Sequence, residues 1–279
     1  MSKFSFDNKT VLVTGASSGI GFKICEYLLN NSNCTIIAVS KTQSRLLLAK
    51  RNLNNTPRFV TFSSDLSKIK GYNNLVEFIR KQEFNISAMF NCVGILPKFN
   101  KFENISIPES VSALECNFNS TLYAINKILP LIKENGKGLM VNITSAAALC
   151  PVYGASLYSA TKVASQRFLE CVALEETDVK IISVMPGFTK TDIMRNQVAT
   201  ESELKFINKI SLNANKVAKK IVKKSAKGKK RIIIGFDARF MNFMYKLMPK
   251  TAPKIIRWVF KKSNFKLFEN AIHNNDNNK

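Results

Sequence analysis

From Thr10 to Met185, short apolar and largely β-branched runs alternate with segments of helical length, and few folds accommodate such an alternation. The strand runs are Thr10–Thr14, Thr35–Ser40, Arg58–Ser63, Ala88–Cys92, Gly138–Thr144 and Lys180–Met185. Helical stretches between and after them cover 19–30, 43–53, 67–82, 109–134 and 156–177. Several runs are continuously apolar, as expected of strands buried on both faces of a parallel sheet. The expected fold is α/β, a doubly wound parallel sheet of Rossmann type in three α/β/α layers. One catalytic domain is expected over 1–236, with a substrate lid at about 190–215. A basic amphipathic helical extension is expected over 237–279, ending in a frayed, Asn-rich tail.

The six cysteines are scattered without a CxxC spacing, and His273 is the only histidine. This argues against a histidine-based metal site and against a Ser-His-Asp triad, so no metal is expected. No apolar run approaches the ~20 residues that span a bilayer, and the first strand begins too early to leave room for a secretory leader. The expected setting is cytoplasmic, with peripheral attachment to a membrane open.

The strand Thr10–Thr14 runs into Gly15-Ala-Ser17-Ser18-Gly19-Ile20-Gly21, and a helical pattern follows. Glycine tolerates positive φ and lets backbone approach a ligand closely, while a helix start directs N–H groups and positive dipole at a pyrophosphate. At the first βα crossover this is where a dinucleotide binds. Further along, Tyr158-Ser-Ala-Thr-Lys162 sets a phenol and an ammonium at i and i+4 on one helical face. A nearby cation helps a phenol act as an acid–base group near neutral pH. Ser145 ends the preceding strand, thirteen residues before Tyr158, on the edge of the sheet where ligands collect.

Thr14–Gly21 and Tyr158–Lys162 together resemble the T-G-x-x-x-G-x-G and Y-x-x-x-K motifs of the short-chain dehydrogenase/reductase family. The resemblance continues in order to about Asp192. It implies an NAD(P)(H)-dependent oxidoreductase acting on CH–OH and C=O groups. Asp65-Leu66 is similar to the family's adenine contact, and Asn91-Cys92-Val93-Gly94 to its N-N-A-G turn, with Cys92 and Val93 departing from the pattern. Pro186, Gly187, Thr189 and Thr191 match the segment that holds the nicotinamide carboxamide. The resemblance implies Tyr158 as general acid/base, Ser145 on the carbonyl oxygen, and Lys162 on both Tyr158 and the nicotinamide ribose. It also marks Asn117 as the residue that kinks its helix and holds a lysine-linked water.

The second strand ends Ser40-Lys41-Thr42, with Arg45 close behind and no acid. A hydroxyl and an ammonium suit a ribose 2′-phosphate, which an acid there would repel, so NADP(H) is expected over NAD(H). The expected substrate is a small carbonyl or alcohol of apolar character, and a homo-oligomer (dimer or tetramer) is expected. The alternative reading is a catalytically silent NADP(H)-binding sensor or scaffold, tethered to a membrane surface or a partner.

The net charge of +23 is concentrated: residues 205–266 hold 19 Lys or Arg against one acid, Asp237. Phe240, Phe243, Met244, Leu247 and Met248 form an amphipathic stripe, Pro249 and Pro253 interrupt it, and Ile255–Phe260 adds bulk that includes Trp258. These helices either pack on the domain or a second copy, or meet an anionic membrane surface through 239–266. No recognisable nucleic-acid motif is present, and no nucleic-acid partner is expected. In the lid, Met194, Val198, Leu204, Phe206 and Ile207 are candidates for an apolar pocket, with core the alternative for at least half of them.

Overall fold

The computed structural model describes residues 3–195, 201 and 211–262. Seven parallel strands form one sheet in the order β3-β2-β1-β4-β5-β6-β7. They are β1 Thr10–Thr14, β2 Thr35–Ser40, β3 Phe59–Ser63, β4 Ile86–Asn91, β5 Gly138–Ile143, β6 Val179–Pro186 and β7 Arg231–Ile234. The order reverses between β1 and β4, which opens a crevice at their carboxyl ends.

Period-two alternation sends successive side chains of each strand to opposite layers. Val11, Val13, Ile36, Ala38, Ala88 and Phe90 join one core with α1 (Gly19–Asn31), α2 (Gln43–Asn52) and α8 (Ala214–Ala226). Leu12, Ile37, Val39, Met89 and Met140 join the other with α3 (Ile69–Lys81), α5 (Ser120–Glu134) and α6 (Ser156–Glu175). Each fully buried Leu, Ile or Val in these layers contributes about 1.5–3 kcal/mol. The fold is the doubly wound parallel arrangement read from the sequence.

The long helix expected over 109–134 is interrupted. α4 (Ile107–Leu114) leads into a π-helical turn at Glu115–Asn119 before α5 begins at Ser120. The chain also has a short α7 (Asp192–Arg195), α9 (Phe236–Leu247) and α10 (Ala252–Lys262). α9 and α10 share a third core with the domain: Ala238, Met241 and Ile256 pack on Ala146, Leu149, Cys150 and Met185. The face that packs is not the expected stripe, since Phe240, Phe243 and Leu247 are exposed. Of the lid, residues 196–200 and 202–210 lie outside the described residues, and with them Val198, Leu204, Phe206 and Ile207; the side chain of Met194 does too. Thr189 bridges to Leu212 on the far side of that interval.

Candidate active site

Gly15 leaves β1 at a φ of +62°, a left-handed conformation that suits glycine. A Cβ there would stand 2.9 Å from the Cys92 carbonyl oxygen. A Cβ on Gly21 would collide with the Gly15 carbonyl, so the loop folds this tightly only without one. Ser18 caps α1 from an extended backbone, makes no side-chain cap bond, and no acid occupies the first turn. The N-terminal amides of α1 thus present their dipole to the crevice without a competing carboxylate.

Across the switch point, the Thr14 hydroxyl donates to Asn91 Oδ1 at 2.7 Å and accepts the Cys92 N–H at 3.1 Å. Asn91 donates in turn to Asn142 Oδ1 at 3.2 Å. The substituted turn is therefore held from beneath by buried polar side chains, and Cys92 itself is a poor nucleophile, its thiol pushed up to about 12 by burial.

A cavity of about 460 Å³ runs along the carboxyl ends of the strands. Gly15, Ser17, Ser18, Gly19, Ile20 and Gly21 line one wall; Ser40, Lys41, Asp65 and Leu66 line it as well. Gly94 lines the middle, and Ser145, Tyr158, Lys162, Pro186, Gly187, Thr189 and Thr191 line the opposite end. Of the residues named from sequence, Asn91 and Asn117 stand behind this wall instead of on it.

Beside the glycine loop, Ser17 and Ser40 hydroxyls are 2.9 Å apart, and Lys41 pairs with Asp65 at 2.8 Å. Burial opposes ionisation of Asp65, but hydrogen bonds from Lys41 and Ser67 outweigh it and hold the carboxyl below its usual range. Arg45 lines the same cavity.

At the other end, Ser145 follows β5 and caps a short 3₁₀ turn, its Oγ accepting the Ala147 N–H at 3.2 Å. Tyr158 stands in the first turn of α6 and lines the cavity together with Ser145. Burial raises the Tyr158 pKa, and the Ser145 hydroxyl opposes that rise. One turn on, the Lys162 ammonium lies 5.7 Å from the Tyr158 ring centroid, and burial lowers its pKa to about 8.

Asn117 clamps the chain beside the lysine. Its Oδ1 accepts the Ile95 N–H at 2.8 Å, and its Nδ2 donates to the Ile95 carbonyl at 3.0 Å and to Thr161 Oγ1 at 3.2 Å. The Asn117 carbonyl, in the π turn, accepts Ser165 Oγ at 3.2 Å. A Cβ on Gly94 would sit 2.9 Å from Lys162 Nζ and 3.1 Å from Asn117 Oδ1, so glycine leaves the lysine its place.

Sequence reasoning missed two contributors from the extension. Asp237 accepts the Phe188 N–H at 2.7 Å, bracing the turn after β6, and Met241 lines the cavity. The signal for Asp237 was present, as the lone acid in a basic segment. Leu96, Phe99, Val152 and Ala155 also line the cavity and add apolar surface to it.

An elongated cavity that begins at an uncapped helix start and ends at a tyrosine–lysine pair fits a nicotinamide dinucleotide. Residues 9–202 match the family described as short chain dehydrogenase. The 11-beta-hydroxysteroid dehydrogenase-like 2 of Arabidopsis thaliana is 26% identical over 255 residues, which is 90% of this chain and 82% of that protein. A short chain dehydrogenase from Burkholderia cenocepacia J2315 in complex with NADP has the same fold, with a TM-score of 0.77 at 19% identity, covering 91% of this chain and 99% of its own. A short chain dehydrogenase/reductase from Burkholderia phymatum in complex with NAD gives 0.77 at 18% identity, covering 89% and 95%. The chain belongs to the short chain dehydrogenase family and is an oxidoreductase that acts on a hydroxyl or carbonyl group of a small molecule with a nicotinamide cofactor.

Proposed function

We propose that this enzyme reduces a lipophilic ketone or aldehyde, or oxidises the corresponding alcohol, using NADP(H), with Tyr158 exchanging the proton. The observation that carries this reading is that Ser145, Tyr158 and Lys162 line one cavity, with Lys162 one helical turn from Tyr158. When bound, the nicotinamide supplies or accepts the hydride. Ser145 holds the substrate oxygen by donating a hydrogen bond to it. Tyr158 gives its phenolic proton to that oxygen in reduction and takes it back in oxidation. Lys162 steadies the phenolate by its charge and holds the nicotinamide ribose. Asn117 positions Lys162 through the Ile95 peptide and Thr161. It also kinks its helix at the π turn, and a water held there would link the lysine to solvent.

NADP(H) is preferred in this reading because Ser40, Lys41 and Arg45 line the adenine-side end and no acid closes β2. The lipophilic substrate is supported by the apolar lining of Leu96, Phe99, Val152 and Met241. The retained Ser145, Tyr158 and Lys162 weigh against a silent sensor. A homo-oligomer belongs to the reading too, with exposed Ile107, Val111 and Leu114 on one face of α4 and Val163 on α6 as its contact; light scattering of the purified chain tests it.

The experiment is NADPH oxidation against carbonyls of graded hydrophobicity, with Tyr158→Phe beside the wild type. Turnover rising with hydrophobicity and falling by about 10²–10⁴ in the variant, with NADPH still bound, is the expected result. A variant that turns over like wild type would overturn the assignment.

A further inference from the structure

α9 closes the substrate end of the cavity and has a second, outward face. Inward, Ala238 and Met241 are buried, and Met241 lines the same cavity as Tyr158. Outward, Phe236, Phe240, Phe243 and Leu247 recur at i, i+4, i+7 and i+11, and all are exposed, Phe243 by 61%. Phe236 and Phe240 stack with ring centroids 6.2 Å apart. On α10, Trp258 is 57% exposed. An amphipathic helix of a soluble domain normally buries its bulkiest apolar stripe, and an exposed apolar patch marks a contact surface.

The surroundings of this face are cationic. Arg239, Lys246, Lys250, Lys254 and Arg257 are all exposed. Among the described residues, no cation from Lys216 to Arg257 has a carboxylate partner in an ion pair. Burial first, then the neighbouring Arg239, Lys220 and Lys229, lower the Lys224 pKa, so positive charge is crowded here without neutralisation. Two copies meeting through this face would set like charges against each other. An anionic lipid surface meets both needs: headgroups for the cations and the acyl boundary for the aromatic stripe.

We infer that the face carrying Phe236, Phe240, Phe243, Leu247 and Trp258 docks on an anionic lipid surface, and that the substrate is a lipid-dissolved carbonyl or alcohol entering the cavity from that surface. The substrate clause rests on the carbonyl–alcohol reading of the site. The lipid face and the cavity wall lie on opposite sides of one helix, a separation of about 10 Å. A lipophilic molecule therefore has a short path from acyl chains to Tyr158.

The test is flotation of the full chain with phosphatidylcholine vesicles, with or without phosphatidylserine. The wild type floats with the phosphatidylserine vesicles and is released as salt rises. The double variant Phe240→Ser, Phe243→Ser loses binding by about tenfold or more, with Tm and circular dichroism unchanged, because both side chains are exposed. In the same variant, NADPH oxidation with a water-soluble ketone stays at the wild-type rate, while turnover of a ketone dissolved in the vesicles falls with binding. Equal flotation of variant and wild type overturns the docking surface, as does binding that ignores phosphatidylserine. A dimer that the variant splits, with no vesicle binding in either protein, overturns it in favour of a second copy. Flotation as expected with no turnover of any ketone by the wild type overturns the carbonyl reading and leaves the docking surface standing.

Discussion

Lys162 is only 4% exposed, and its ammonium pays for that burial in a way that depends on pH. Its pKa falls from 10.5 to about 8 on folding. Between those values the unfolded chain holds the proton and the folded chain does not, so the unfolded state binds more protons and stability rises with pH. Below pH 8 the folded state carries the whole penalty, on the order of 3 kcal/mol. Denaturant titrations from pH 7 to 10 should show wild type gaining stability relative to Lys162→Met by this amount, and a constant difference would refute the assignment. At the other end of the cavity, Lys41 keeps 75% of its side chain exposed while pairing with Asp65, so it is free to turn to a 2′-phosphate. Replacing Lys41 and Arg45 by Ala should weaken NADPH by about 10–100-fold, the worth of hydrogen bonds to a charged group. NADH should bind unchanged, and fluorescence titration with both cofactors measures the difference.

Between elements, Asp237 is the tie that joins α9 to the turn after β6. Its carboxylate occupies the space where a side chain on residue 187 would stand, and it satisfies the Phe188 N–H. Asp237→Ala should leave that N–H without its partner, at a cost of about 1–3 kcal/mol. The expected reading is a KM for cofactor raised by about tenfold with kcat less affected. Asp237→Asn, which still accepts the bond, should recover most of the loss. The glycine loop and the Tyr158/Lys162 pair were legible in the sequence because each is a local spacing carried on one turn or one helix. The kink at Asn117 was marked only through the family resemblance, and its π form was not legible, because an extra residue in a helix barely disturbs a 3.6-residue apolar period. Asp237 and Met241 reach the site only through tertiary packing. In α9 the period marked the bulkier side, Phe240, Phe243 and Leu247, while the side that packs is the slimmer Ala238 and Met241. Both sides are apolar, so periodicity alone had no means of choosing.

Across the whole molecule, the cofactor crevice touches the carboxyl ends of strands from both halves of the sheet, and ligand binding there should tighten the entire domain. NADPH at about 100 times its Kd adds roughly 2.7 kcal/mol by mass action, or a Tm higher by about 5–10 °C for a domain of this size. Thermal denaturation with equal concentrations of NADPH and NADH should show the larger shift with NADPH; equal shifts would remove the proposed preference. Charge is as unevenly spread as function: most of the +23 lies in the C-terminal portion, which is also the portion that completes the cavity. α9 is cavity wall, brace of the β6 turn and outward aromatic face at once. A chain clipped ahead of Phe236 would thus lose part of the cavity wall along with the proposed docking face. Anyone trimming this tail to obtain a more tractable protein should expect an inert one, and the proposed docking must be separated from catalysis by single side chains on the outer face.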